Sequence, residues 1–159
     1  MGSGNIGATN VARAAGKRTA GFVLALDVLK GAAPTTAALA IGLEPAWASA
    51  VGVAAFLGHC FPVYLRFRGG KGVATALGVA LALVPIAALA GVVTWLAVYL
   101  ASRVSSLGSL GGVFVALAVA FWLGDSPAFA WAILAMAAVI ILRHRSNIRR
   151  LIRREEGRV

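Results

Sequence analysis

Three segments of this 159-residue chain gather glycine, amide, hydroxyl and cationic side chains at close spacing, and each suits recognition of a phosphate group. The first is Gly2-Ser3-Gly4-Asn5-Ile6-Gly7-Ala8-Thr9-Asn10-Val11-Ala12-Arg13. Its glycines let backbone N–H groups turn toward an anion, Ser3 and Asn5 add side-chain donors, and Arg13 can form a two-pronged pair with phosphate oxygens. Gly-Ser-Gly is also linker chemistry, but the continuation through Asn10 and Arg13 favours a binding loop.

The second segment joins Gly58-His59-Cys60-Phe61-Pro62 to Arg66-Phe67-Arg68-Gly69-Gly70-Lys71-Gly72-Val73-Ala74-Thr75. Its composition suggests a nucleotide P-loop, yet Leu65 stands where that motif needs its first glycine, so no such site is present. What remains is a glycine loop, Gly69, Gly70 and Gly72 around Lys71, leading through Thr75 into an apolar helix. There, free N–H groups and the helix dipole favour an anion. His59, at the end of an apolar run, is read either as a buried, hydrogen-bonded histidine or as part of this site.

The third is split between Arg103-Val104-Ser105-Ser106-Leu107-Gly108-Ser109 and Arg143-His144-Arg145-Ser146-Asn147-Ile148-Arg149-Arg150. On a helix His144 and Asn147 share one face, and Ser106 and Ser109 repeat that spacing. Arg149, Arg150, Arg153 and Arg154 are explained by attraction to anionic lipid headgroups, about 1 kcal/mol each.

Other chemistries lack their parts. There is no Gly-x-Ser-x-Gly nucleophile, no paired carboxylates of the kind glycoside hydrolysis needs and no set of ligands at metal spacing. No cofactor is expected. Cys60, the single cysteine, has no partner in the chain and reads as a small buried apolar residue.

The elements that must position these segments are membrane spans. Hydrophobic residues make up 60% of the chain and charged ones 13%, with a mean hydropathy of +0.89. A soluble domain of this size has too little interior to hide so much apolar surface, and a disordered chain has far less of it. Apolar runs fall at 20–43, 46–64, 73–84, 86–101, 107–123 and 127–142. The third is twelve residues, about 18 Å as a helix, too short for a hydrocarbon core of about 30 Å. The expected fold is therefore an all-α integral membrane bundle of about six spans, one of them a half-span, in a single domain over 1–159.

Numbering the connections alternately places fourteen of the fifteen Lys and Arg residues on one side. The other side carries Glu44 and Asp125. That asymmetry predicts cytoplasmic basic loops and both termini inside, and it accounts for the net charge of +10 without nucleic acid. Asp27 and Lys30, three apart within a span, are expected to form a structural ion pair. A bundle that reads phosphate beside lipid is the result, as an enzyme or as a non-catalytic membrane protein that binds or transports organic phosphate. An apolar groove leading to the loops would favour the enzyme.

Five blocks resemble, in order, the bacterial acylphosphate-dependent glycerol-3-phosphate acyltransferases, the PlsY family. They are GSGNIGATNVAR from Gly2, DVLKG from Asp27, GHCFPVYLRFRGGKGVAT from Gly58, RVSSLGS from Arg103 and HRSNIRRL from His144. The resemblance implies a seven-span fold in the bacterial inner membrane, here without the family's first span, with its active site on the cytoplasmic face. It implies transfer of an acyl group from acyl-phosphate to the 1-hydroxyl of glycerol-3-phosphate, giving lysophosphatidic acid. Glycerol-3-phosphate, acyl-phosphate and membrane lipids are then the partners, with the oligomeric state left open. The family's functional positions fall on Ser3, Arg13, Lys71, Ser106, His144 and Asn147, with Gly4, Asn5, Gly69, Gly70, Gly72 and Thr75 as phosphate-loop positions. The family's tail carries a glycine two residues ahead of a glutamate. Here Arg154 replaces that glycine, which leaves the role of Glu156 open.

Overall fold

The computed structural model describes residues 7–123 and 126–157, apart from the side chain of Arg13. These residues form α1 (Ala8–Ala40), α2 (Pro45–Cys60), a 3-10 turn (Val63–Leu65), α3 (Val73–Leu83), α4 (Pro85–Ser102), α5 (Ser105–Leu123), α6 (Pro127–Arg143) and α7 (Arg145–Ile152). No strand occurs among them.

The helix limits follow local chemistry. Pro45, Pro85 and Pro127 each open a helix, where a fixed φ helps and the missing N–H costs nothing. The expected run 46–64 leaves helical geometry at Phe61, because Pro62 disfavours the α conformation in the residue before it. The first helix starts earlier than its apolar run, at Ala8, and is interrupted at Gly16, whose φ of 83° is left-handed.

Helices α4 and α5, the 27-residue part of α1 from Ala14 to Ala40, and the 21-residue stretch Pro45–Leu65 that joins α2 to the 3-10 turn are long and apolar enough to cross a membrane. Helix α6 passes the same test together with α7, from which it is bent by 61° at His144. The half-span expected at 73–84 is α3, eleven residues ending at a buried Val84. Pro85 then starts α4 at once; Val84, Ala87 and Ala88 pack into the core while Pro85 and Ile86 are exposed, so one side of the α3–α4 elbow rests on the bundle.

Backbone contact fixes two of the crossings. A Cβ on Gly31 of α1 would strike the Thr75 carbonyl, and one on Gly78 of α3 would strike the Val28 carbonyl. In the α4–α5 pair, a Cβ on Gly91 would come within 2.9 Å of the Gly112 carbonyl oxygen. Small residues give close approach here, as membrane helices require when no water drives them together. Phe56, Val79, Met136 and Ile140 fill the shared core.

Candidate active site

The polar segments meet at one end of the bundle. Lys71, two residues before α3, donates from Nζ to Asn147 Oδ1 of α7 at 2.6 Å. Asn147 Nδ2 donates to Glu156 Oε1 at 2.5 Å, and Ser106 Oγ of α5 donates to the same oxygen at 2.7 Å. Arg150 Nε donates to Glu156 Oε2 at 2.6 Å. Thr9 of α1 joins the cluster, its hydroxyl 3.3 Å from that of Ser105. Parts of the chain far apart in sequence thus close on a single carboxylate.

Burial would raise the Glu156 pKa, but the hydrogen bonds from Ser106, Arg150 and Asn147, with the Arg150 charge, outweigh it and hold the carboxyl below its usual range. His144 lies one residue past α6, at the bend, and is buried. Its Nδ1 is 2.8 Å from the Ile140 carbonyl oxygen. A carbonyl can only accept, so Nδ1 carries the proton and a neutral ring offers Nε2 as acceptor. Burial lowers its pKa to about 4, against the carbonyl hydrogen bond, which raises it. The bend falls at His144, which caps α7 and accepts from the Ile148 N–H through its carbonyl, three residues before Asn147, and both side chains line the same cavity.

That cavity has a volume of about 470 Å³. Along α5 its lining passes from Ser106 and Ser109 to Val113 and Ala116, and along α6 from His144 to Met136 and Ile133. The ten residues from Ser106 to Ala116 span about 15 Å, of which the part beyond Ser109, about 10 Å, is apolar, so the space is polar at the loops and apolar for about a nanometre into the bundle. Trp95 and Val92 of α4 and Leu77 of α3 complete the apolar wall.

The glycine loop differs from expectation in detail. Gly69 N–H donates to the Cys60 carbonyl at 3.2 Å and Gly70 N–H to the His59 carbonyl at 3.3 Å, so these two amides are engaged by the end of α2 instead of facing a ligand. Their carbonyls accept from Arg143, Nη2 to Gly69 at 2.6 Å and Nε to Gly70 at 3.2 Å, while its guanidinium lies over the Phe61 ring. Gly72 has φ +85°, and a Cβ there would run into Phe56 and Cys60, so only glycine lets the chain turn into α3. Lys71 and Gly72 line the cavity, and the first-turn N–H groups of α3, which lack intrahelical acceptors, follow directly. Thr75 is fully buried against α1 and does not reach the cavity lining.

Ser3, Gly4 and Asn5 lie outside the described residues, as does the Arg13 side chain; Gly7, Ala8, Thr9 and Asn10 of the same segment do line the cavity. The chain matches the family model for glycerol-3-phosphate acyltransferase over residues 1–154. It belongs to the glycerol-3-phosphate acyltransferase family. Over its whole length it is 52% identical to a glycerol-3-phosphate acyltransferase of Anaeromyxobacter sp. (strain K), covering 82% of that protein. Over 99% of its length it is 53% identical to one from Halorhodospira halophila, covering 80% of it. The crystal structure of PlsY, an integral membrane glycerol 3-phosphate acyltransferase, superposes in its glycerol 3-phosphate form with a TM-score of 0.95. Identity is 42%, over 99% of this chain and 80% of that one. Its lysophosphatidic acid form gives 0.94 at the same identity. With its apolar helices, this acyltransferase is a multi-pass membrane protein.

Three site residues escaped the sequence reading. Arg150, assigned there to lipid headgroups, instead binds Glu156 and lines the cavity; Arg149, Arg153 and Arg154 are exposed as that assignment requires. Arg143 braces the glycine loop, and Glu156 anchors the polar network. For Glu156 a signal existed, since it and Glu155 are the only acidic residues in the strongly basic segments. Nothing local distinguishes Arg143 or Arg150 from neighbouring arginines.

Proposed function

We propose that this acyltransferase takes acyl-phosphate from the bilayer with its chain in the apolar part of the cavity. It passes the acyl group to the 1-hydroxyl of glycerol-3-phosphate at the polar end, giving lysophosphatidic acid and phosphate. The fall in polarity from Lys71, Ser106, His144 and Asn147 down to Val113, Ala116 and Ile133 carries this reading. A carrier of organic phosphate needs the cationic end but has no use for the apolar chamber behind it.

Acyl-phosphate is a mixed anhydride with a good leaving group, so the site must orient the hydroxyl, stabilise the carbonyl oxyanion and neutralise the departing phosphate. Lys71 and the N-terminus of α3 face the phosphate, joined by Arg13, Ser3, Gly4 and Asn5 from the first segment. Gly69 and Gly70 shape the loop through their carbonyls. Ser106 and Asn147 orient polar groups of the substrates, and His144 Nε2 accepts from the neighbouring 2-hydroxyl of glycerol-3-phosphate, leaving the proton of the attacking hydroxyl free to move elsewhere. The hydroxyl oxygen attacks the acyl carbon, the C–O bond to phosphate breaks, and the proton passes to a phosphate oxygen of glycerol-3-phosphate, whose second pKa is about 6.

The test is a lysophosphatidic acid assay on detergent-purified protein with acyl-phosphate, acyl-CoA or acyl carrier protein as donor. Product is expected from acyl-phosphate. Glycerol-3-phosphate binding without product from any donor would favour the carrier. The positive-inside rule supports a site on the cytoplasmic face of the inner membrane, since its loops carry the basic residues. Single-cysteine reporters at Ser105 and Ser146 should then label from the cytoplasm and one at Ser126 from the other side.

A further inference from the structure

A second polar cluster lies behind the glycine loop, within the spans. Asp27 of α1 is buried, its side chain 6% exposed, and its Oδ1 accepts a 2.8 Å hydrogen bond from Lys30 Nζ. The same oxygen lies 3.5 Å from Nδ1 of His59 on α2, a side chain only 4% exposed. Lys30 itself is 55% exposed and reaches outward. A structural pair between Asp27 and Lys30 alone would not require a histidine from another helix, nor place both Asp27 and His59 in the cavity lining. A buried carboxylate within a membrane span is costly and usually marks function.

The other edge of the His59 ring meets Gly70. A Cβ on Gly70 would overlap His59 Nε2 and come within 2.8 Å of Cε1, so the loop backbone rests directly on the imidazole. The peptide at this point is held on three sides. The end of α2 takes its amides, Arg143 takes its carbonyls, and the His59 ring supports its Cα. Lys71 is the next residue.

We propose that Asp27 and His59 are positioning residues for acyl transfer. Asp27 fixes the His59 ring, the ring sets the height of Gly70, and Gly70 aims Lys71 at the phosphate. The inference rests on the reading of Lys71 as a phosphate-binding group. Neither Asp27 nor His59 exchanges a proton with substrate in this scheme. A displacement of about 1 Å in a binding group is enough to cost a hundredfold in rate.

The experiment measures kcat and KM for Asp27→Asn and His59→Gln, each alone and combined with Lys71→Ala, using acyl-phosphate and glycerol-3-phosphate in detergent. Each single variant should lose at least about tenfold in kcat/KM while keeping a monodisperse elution profile. In the Lys71→Ala background, assayed at high enzyme concentration, the same change should cost less than about twofold, because the group being aimed is gone. Equal losses in both backgrounds would overturn the proposal by showing general structural damage. Wild-type activity in His59→Gln would also overturn it, and that variant decides the matter if Asp27→Asn does not fold. Lys30→Gln should keep wild-type kcat; a loss matching that of Asp27→Asn would reduce the cluster to a helix-stabilising ion pair and overturn the proposal. Full activity in Lys71→Ala would remove the underlying reading of Lys71 and the proposal with it, a result distinct from failure of Asp27 and His59 alone.

Discussion

The Lys71 ammonium donates a 2.6 Å hydrogen bond to the Asn147 side-chain carbonyl across 76 residues of sequence. This contact ties the glycine loop ahead of α3 to the helix after the last span. With Asn147 bonded in turn to Glu156, a cation, an amide and a carboxylate are linked without direct contact between the two charges. The lysine is held in place yet can be turned toward a phosphate.

Lys71→Ala should therefore cost at least about 2–3 kcal/mol of transition-state stabilisation, or about 30- to 150-fold in kcat/KM, as expected for a charged, partly desolvated partner. Asn147→Ala should approach the same loss, since it frees Lys71 and removes a donor from Glu156. Steady-state kinetics with acyl-phosphate checks both.

Arg150 and Arg149 are adjacent but should differ sharply. Arg150→Ala leaves Glu156 Oε2 without its charged donor and should lower kcat/KM at least about tenfold, whereas Arg149→Ala, exposed, should stay within about twofold. Equal sensitivity in parallel assays would return Arg150 to a lipid-surface role.

Glu156 links the site to pH. Its folded pKa lies below its ordinary value, so the stability it contributes is fully present above the ordinary carboxylate range and is lost as pH falls through the lowered folded value. The thermal midpoint in detergent should drop on acidification, and Glu156→Gln should flatten that dependence while lowering the midpoint at neutral pH.

His144 separates two proton acceptors. A base must be deprotonated, so activity falls as pH drops through its pKa. If the substrate phosphate takes the proton, the acid limb of kcat/KM lies near 6 and survives in His144→Gln, with KM raised and kcat largely retained. A limb near 4 that vanishes in His144→Gln, with kcat down by about 10²–10⁴-fold, would make His144 the base.

Arg154 occupies a left-handed conformation, φ 59°, in the turn that follows α7, where its N–H donates to the Leu151 carbonyl and that of Glu155 to the Arg150 carbonyl. Glycine takes this geometry without the roughly 1–2 kcal/mol strain of an L-residue. Arg154→Gly should raise the thermal midpoint slightly and keep activity, because Glu156 is delivered to the same place.

The apolar helices and the half-span at 73–84 were legible in the sequence. Hydropathy acts locally against the bilayer, and a span cannot hide its length. Lys71, Ser106, His144 and Asn147, which line the polar end of one cavity, also stood out in the sequence, because polar side chains near glycines at the ends of apolar runs are few. Tertiary structure alone decided which polar groups face one another. The bend at His144, the engagement of the Gly69 and Gly70 amides by α2, and the choice of Arg143 and Arg150 from a run of arginines all depend on helices packed far apart in sequence. Glu156 found its partners on α5 and α7, and Asp27 met His59, only through the packing of whole helices, whose separations are set by contacts such as the backbone crossing of α1 and α3 at Gly31–Thr75 and Gly78–Val28. Such distances are a property of packed surfaces, and no window of sequence contains both sides of one.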